Sequence, residues 1–199
     1  MAFVDGQNLY QHAKDAFGHH HPNYDLVKLH AAVCAERGWK PTLVRFYTGV
    51  PSPSESPMWN GYWSNRIIAL NRVGVWVTTR PIRYRKQTII GSDGIAQKIT
   101  VPQEKGIDVR LALDIVSLAR KRQFDVAVIF SQDQDLAEVV EEVREIALEQ
   151  DRWIKVACAF PSGPRATAKR GVNKTDWFRM NQDFYDACLD PHDYRPQNI

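Results

Sequence analysis

The residues best suited to chemistry are acids set far apart along the chain. Ser131-Gln-Asp-Gln-Asp135 carries two carboxylates two residues apart. Asp5 ends the opening apolar stretch Ala2–Val4 and is followed three residues later by Asn8. Asp108 falls in the segment Glu104–Arg122, where Ile107, Leu111, Ala112, Ile115, Val116, Leu118 and Ala119 trace a broad apolar arc at helical spacing. Asp108 projects near the middle of that arc, whereas Arg110, Asp114, Ser117, Arg120 and Lys121 are assigned to the solvated side. A carboxylate aimed at a core must be paired, metal-bound or protonated. Carboxylates gathered in one place repel strongly unless cations neutralise them. Oxygen ligands without His or Cys suit Mg²⁺ or Mn²⁺ rather than zinc. Such ions activate water and stabilise the charge that develops in phosphodiester cleavage, most fully as a pair about 4 Å apart. Asp5, Asp108, Asp133 and Asp135 are therefore the expected metal ligands and catalytic acids. Plainer readings stand beside this one. Asp5 could cap a turn or helix, Asp108 could pair with Lys105 or meet water near a helix start, and Asp135 with Glu138 fits a D-x-x-E capping box.

Those acids need elements that bring them together. Val126–Phe130 is an unbroken apolar run, the signature of a strand covered on both faces. Leu136, Val139, Val140, Val143 and Ala147 then follow the stripe of an amphipathic helix. The SQDQD segment thus lies in a turn after a strand's carboxyl end, where open α/β sheets bind ligands. Further strands are predicted at Ala2–Val4, Thr42–Tyr47, Val75–Thr79 and Trp153–Phe160. Helices are predicted at Asp25–Arg37, Trp59–Gly74, Glu104–Arg122 and Trp177–Leu189, with Gly38 ending the first. The expected architecture is α/β: a three-layer, doubly wound, mainly parallel sheet of five strands. One domain spans 1–190, and 191–199 form a poorly ordered tail.

Residues 80–103 break the α/β alternation and read as an inserted β-hairpin turning at Gly91-Ser-Asp-Gly94. Arg80, Arg83, Arg85, Lys86 and Lys98 oppose the single acid Asp93, with Tyr84 among them. A basic ribbon with an aromatic suits phosphate-backbone contact, though a solvated hairpin would look the same. Pro161–Lys174 is a basic loop carrying Arg165, Lys169, Arg170 and Lys174, expected near the site if its strand ends at the same sheet edge. Asn8 could orient a carboxylate or phosphate. Lys105, Ser131, Arg83, Arg85, Lys98 and Lys174 complete the expected substrate contacts. His12 and His19–His21 read as a solvated loop rather than a ligand set.

Net charge of +3 does not by itself demand a nucleic-acid partner, so clustering must carry that case. Cys34, Cys158 and Cys188 form no CxxC pair and sit in apolar settings, which predicts buried reduced thiols. No signal-peptide pattern opens the chain, and no apolar run approaches the roughly 20 residues needed to cross a bilayer. A cytoplasmic protein without membrane contact is expected, and homo-oligomerisation stays open.

Taken together, VDGQN at 4–8, KGIDVRLALDI at 105–115, SQDQD at 131–135 and GVNKTDW at 171–177 resemble the NYN domains, in particular the LabA-like (DUF88) branch of the PIN-like nucleases. The resemblance covers most of residues 1–190. Its pattern has Asp5 and Asn8 at the first strand, Asp108 in the helix, and Asp133 and Asp135 after the fourth strand, and all are present. It implies a PIN-like sheet and a metal-dependent nuclease acting on RNA more often than DNA. Gln132 stands where the family commonly shows Gly, which alters the turn without removing a ligand. A catalytically silent RNA-binding or regulatory module of the same fold is the alternative. Haloacid-dehalogenase chemistry would need a second Asp where Gln7 stands, and a phosphoacceptor receiver would need an Asp at Thr78-Thr79.

Overall fold

The computed structural model describes residues 1–21, 23–90 and 96–196. The chain opens with β1 (Ala2–Asp5), α1 (Gly6–Phe17) and α2 (Leu26–Arg37), followed by β2 (Val44–Val50), α3 (Pro57–Arg72) and β3 (Trp76–Pro81). The hairpin strands β4 (Arg83–Ile90) and β5 (Ala96–Gln103) come next, then α4 (Ile107–Arg120) and β6 (Val126–Phe130). After a 3₁₀ turn at Gln134–Leu136 come α5 (Ala137–Glu149), β7 (Lys155–Pro161), β8 (Asp176–Met180) and α6 (Gln182–Asp186).

Among the described residues, one parallel sheet holds the order β3-β2-β1-β6-β7-β8. Alternation along β1 sends Ala2 and Val4 to one face and Phe3 to the other. The first face packs on α1, α2 and α3 through Leu9, Leu29 and Leu70. The second packs on α4 and α5 through Leu111, Ile115 and Val140. This gives the expected three layers. The chain runs outward from β1 to β3, returns, and runs outward again from β6 to β8. The strand order therefore reverses between β1 and β6, and the crevice at their carboxyl ends is the switch point.

Two expectations are corrected. The sheet has six strands rather than five, because Asp176–Met180 pairs with β7 instead of joining a helix. Trp177 spends its indole N–H on the Val172 carbonyl at 2.8 Å, and only Gln182–Asp186 turns helical. The tail is corrected for residues 191–196, since Tyr194 stacks edge-on with Tyr62 at 5.9 Å and its carbonyl accepts from Asn65 Nδ2 at 3.0 Å. The hairpin forms with Tyr84 opposite Pro102 and Thr88 opposite Lys98. Its turn, including Asp93, lies outside the described residues, and Arg80 belongs to β3. Cys34, Cys158 and Cys188 are buried and unbridged. Of the histidine run, His19 pairs with Asp186 at 2.7 Å. Among the described residues, no helix is long and apolar enough to cross a membrane.

Candidate active site

Asp5 ends β1 and also caps α1, accepting the Asn8 N–H at 3.1 Å. Gly6 is required directly after it. A Cβ there would lie 2.6 Å from Phe46 Cζ and 2.9 Å from Tyr47 O, so only glycine lets α1 begin hard against β2. At 6% exposure Asp5 is almost fully buried, and Ser131 Oγ donates to its Oδ2 at 3.2 Å. Asn8 in turn accepts the Gln132 N–H at 2.8 Å. The turns after β1 and β6 are thereby stitched together across the switch point.

Burial pushes the Asp5 carboxyl up to about 6. The Asn8 and Ser131 hydrogen bonds oppose that, and the Asp108 and Asp133 carboxylates add to it. A fourth acid, absent from the sequence expectations, joins them. Glu104 precedes α4 and accepts the Gly49 N–H at the end of β2. Burial pushes it up to about 7, reinforced by Asp5 and Asp108. Gly49 admits it, because a Cβ there would collide with the Glu104 carboxylate and come within 2.9 Å of Ile82 Cγ1. A glycine inside a strand is a signal of such close approach. It does not say which residue approaches.

Asp108 is exposed, which corrects its placement within the core. It occupies the apolar arc's angle, but it lies in the first turn of α4, where Val109 beside it is exposed as well, and its charge acts on Asp5 and Glu104. Asp114 is corrected in the opposite direction. It lies seven residues after Ile107 and three after Leu111, on the buried stripe, and is 5% exposed. Arg110, Arg45 at 3.4 Å and the Tyr47 hydroxyl at 2.9 Å satisfy it, so its role is structural.

Asp133 does have a structural duty: its Oδ1 accepts the Asp135 N–H at 3.0 Å and caps the 3₁₀ turn. Asp135 caps nothing, because Leu136 is the N-cap of α5 without a side-chain bond. It is exposed and outside the group of charges acting on Asp5. Ser131, at 2% exposure, touches Asp5 and the Asp133 N–H and is sealed from substrate. Lys174 is exposed and pairs with Glu141 on α5. Lys105 and the hairpin residues Arg83, Arg85 and Lys98 are exposed.

Gln132 gains a definite role. Its Nε2 donates to the Ala168 and Arg170 carbonyls at 3.2 and 2.8 Å, and Gln134 Nε2 donates to Gly171 O at 3.0 Å. The basic loop is thus clipped beside the site, with Lys169 and Arg170 exposed.

Asp5, Glu104, Asp108 and Asp133 consequently form an acidic crevice with unneutralised charge. Among the described residues, however, no three His, Cys, Asp or Glu side chains are gathered into a group that could hold a metal ion as they stand. The expectation of four carboxylates sharing one cage is corrected to this looser array. The donor chemistry still fits a hard cation. Mg²⁺ keeps several waters and commonly takes only one or two carboxylates from the protein, and the raised Asp5 and Glu104 carboxyls are relieved by a nearby positive charge.

No curated protein matches this chain. A crystal structure of a protein of unknown function from Vibrio parahaemolyticus superposes with a TM-score of 0.51 at 18% identity, covering 92% of this chain and 93% of that one. It shares the fold. The NYN domain model matches residues 1–151, which take in β1, the Glu104–Asp108 segment and the SQDQD turn. The chain therefore belongs to the NYN domain family, within the PIN-like nuclease superfamily.

Proposed function

We propose that this protein is a metal-dependent nuclease of the LabA-like (DUF88) branch that hydrolyses phosphodiester bonds in RNA, single-stranded or structured, with Mg²⁺ or Mn²⁺. The observation that carries the reading is the crowding of Asp5, Glu104, Asp108 and Asp133 at the switch point, with burial and mutual repulsion raising Asp5 to about 6 and Glu104 to about 7. Asp108, exposed, and Asp133, half-buried, would hold the cation, with Asp5 behind them fixed by Asn8 and Ser131. A bound cation would neutralise developing charge and acidify a bound water. Glu104, which burial raises to about 7 in the cation-free protein, stands beside Asp5 and Asp108, a place that suits a group accepting a proton from an attacking water. Lys169 and Arg170 on the clipped loop would attract the phosphate backbone.

The looseness of the acid array favours a second reading, a silent RNA-binding module. Labelled single- and double-stranded RNA and DNA, incubated with Mn²⁺ or chelator, separate the two. Cleavage that needs the ion supports the nuclease. Salt-sensitive binding without products at any metal concentration supports the module.

A further inference from the structure

The carboxyl ends of β1 and β2 open into a cavity of about 620 Å³, bordered by Gly6, Gly49 and Glu104. That size lies within the range of small-molecule pockets, roughly 300–1,000 Å³. Its opposite wall is aromatic. Trp59, Tyr62 and Trp63 come from α3, with Tyr62 edge-on to Trp59 at 5.4 Å and to Trp63 at 5.5 Å. Trp59 keeps 38% of its surface exposed, so an aromatic face remains open to a ligand.

Arg66 also lines the cavity, and it is only 3% exposed. It donates to the Tyr62 hydroxyl at 2.9 Å, the Tyr24 carbonyl at 3.1 Å and Asn23 Oδ1 at 3.3 Å, all neutral acceptors. Its Nε has no partner among the described residues, and no acid there forms an ion pair with it. Ring faces of Tyr24 at 5.3 Å and Trp63 at 5.5 Å compensate it in part. Glu104, Asp190 and Asp193 also line the cavity, so the buried guanidinium there favours a flat neutral ring with electron-rich edges over an anionic one.

The hairpin extends this wall outward. Ile82 and Pro102 line the cavity, and Pro102 lies opposite Tyr84. Alternation puts Lys86 and Lys98 on that same face, whereas Arg83 and Arg85 fall on the other. Cations leading away from an aromatic pocket fit a polymer better than a free metabolite.

We propose that this cavity is a nucleotide subsite. It takes one unstacked nucleotide of a single-stranded polynucleotide, its base against Trp59 and Tyr62 in the field of Arg66, while the chain runs out past Lys86 and Lys98. The proposal rests on the reading that the site engages nucleic acid, but it makes its own prediction about binding without cleavage. In chelator, tryptophan fluorescence is titrated with an adenylate octamer, a uridylate octamer and 5′-AMP. The expected result is quenching by all three, with Trp59→Ala lowering octamer affinity by at least about tenfold, the size of one lost base stack. Lys86→Ala with Lys98→Ala should reduce the salt dependence of octamer binding and leave 5′-AMP affinity unchanged. Octamer affinity of Trp59→Ala within twofold of the parent overturns the subsite, even if the parent cleaves RNA. Conversely, Trp59-dependent binding by a protein that never cleaves keeps the subsite and removes the nuclease reading.

Discussion

Replacing Asp5 by Asn removes one buried charge while keeping the side chain's shape. Burial holds the native carboxyl at about 6 against an ordinary value of 3.8. A raised acid binds its proton more tightly in the folded state. Its contribution to stability is therefore fully present below about pH 4 and is lost as the pH rises through about 6. A shift of roughly two units corresponds to about 3 kcal/mol. Asn has one acceptor oxygen where Asp5 offers separate oxygens to Asn8 N–H and Ser131 Oγ, so the variant also carries a pH-independent cost of about 1 kcal/mol. Glu104 titrates in both proteins and largely cancels. Urea unfolding in chelator, from pH 4 to 7.5, should show Asp5→Asn gaining about 3 kcal/mol relative to the parent across that window, or about 6–12 °C in Tm. Divalent cation at pH 7.5 should stabilise the parent more than the variant, which keeps Asp108 and Asp133 but lacks the Asp5 charge. A stability difference that stays constant from pH 4 to 7.5 would refute the claim that Asp5 is a strained, unneutralised carboxylate.

Asp114→Ala strips the partner from Arg45, Arg110 and the Tyr47 hydroxyl. It should cost about 3–5 kcal/mol in urea unfolding, the usual penalty for breaking a buried ion pair, and a loss under 1 kcal/mol would contradict the buried network. Gly49→Ala puts a methyl group where the Glu104 carboxylate sits. Overpacking of about 1–3 kcal/mol and a marked fall in cleavage should appear together in unfolding and nuclease assays, and unchanged cleavage would remove Glu104 from the site. Gln132→Gly frees the loop carbonyls at Ala168 and Arg170. Hydrogen exchange of residues 168–173 should quicken while the β6 amides keep their protection, and an unchanged loop would show that something else clips it.

Much of this arrangement can be read from local patterns. The apolar run Val126–Phe130 forces a strand covered on both faces, and its change of period at Leu136 marks the helix, so the SQDQD turn had to sit at a sheet end. Asp5 before Gly6 is legible for the same reason. What escapes is settled by partners distant in sequence. Glu104 comes into the field of Asp5 because it docks on the amide of Gly49, 55 residues earlier and near the end of β2. Asp114 lies on the buried stripe of α4, yet nothing near it in sequence names Arg45 and Tyr47 of β2 as its partners. Residues 176–180 have no strong strand pattern of their own and become β8 because β7 presents an unpaired edge. The aromatics of α3 read as core before they read as a base-stacking platform, since the cavity they line is closed by the hairpin and by residues 190–195, far away in sequence.

The most direct measurement is cleavage of labelled single-stranded RNA with Mn²⁺ by the parent and by Asp108→Asn. Asp108 is exposed at the mouth of the crevice, so the variant should fold as the parent does. Its cleavage should fall by about a hundredfold or more, of the order expected when a group stabilising the transition state is removed. Equal rates in the two proteins, or parent cleavage that persists in chelator, would contradict a carboxylate-held cation at this crevice.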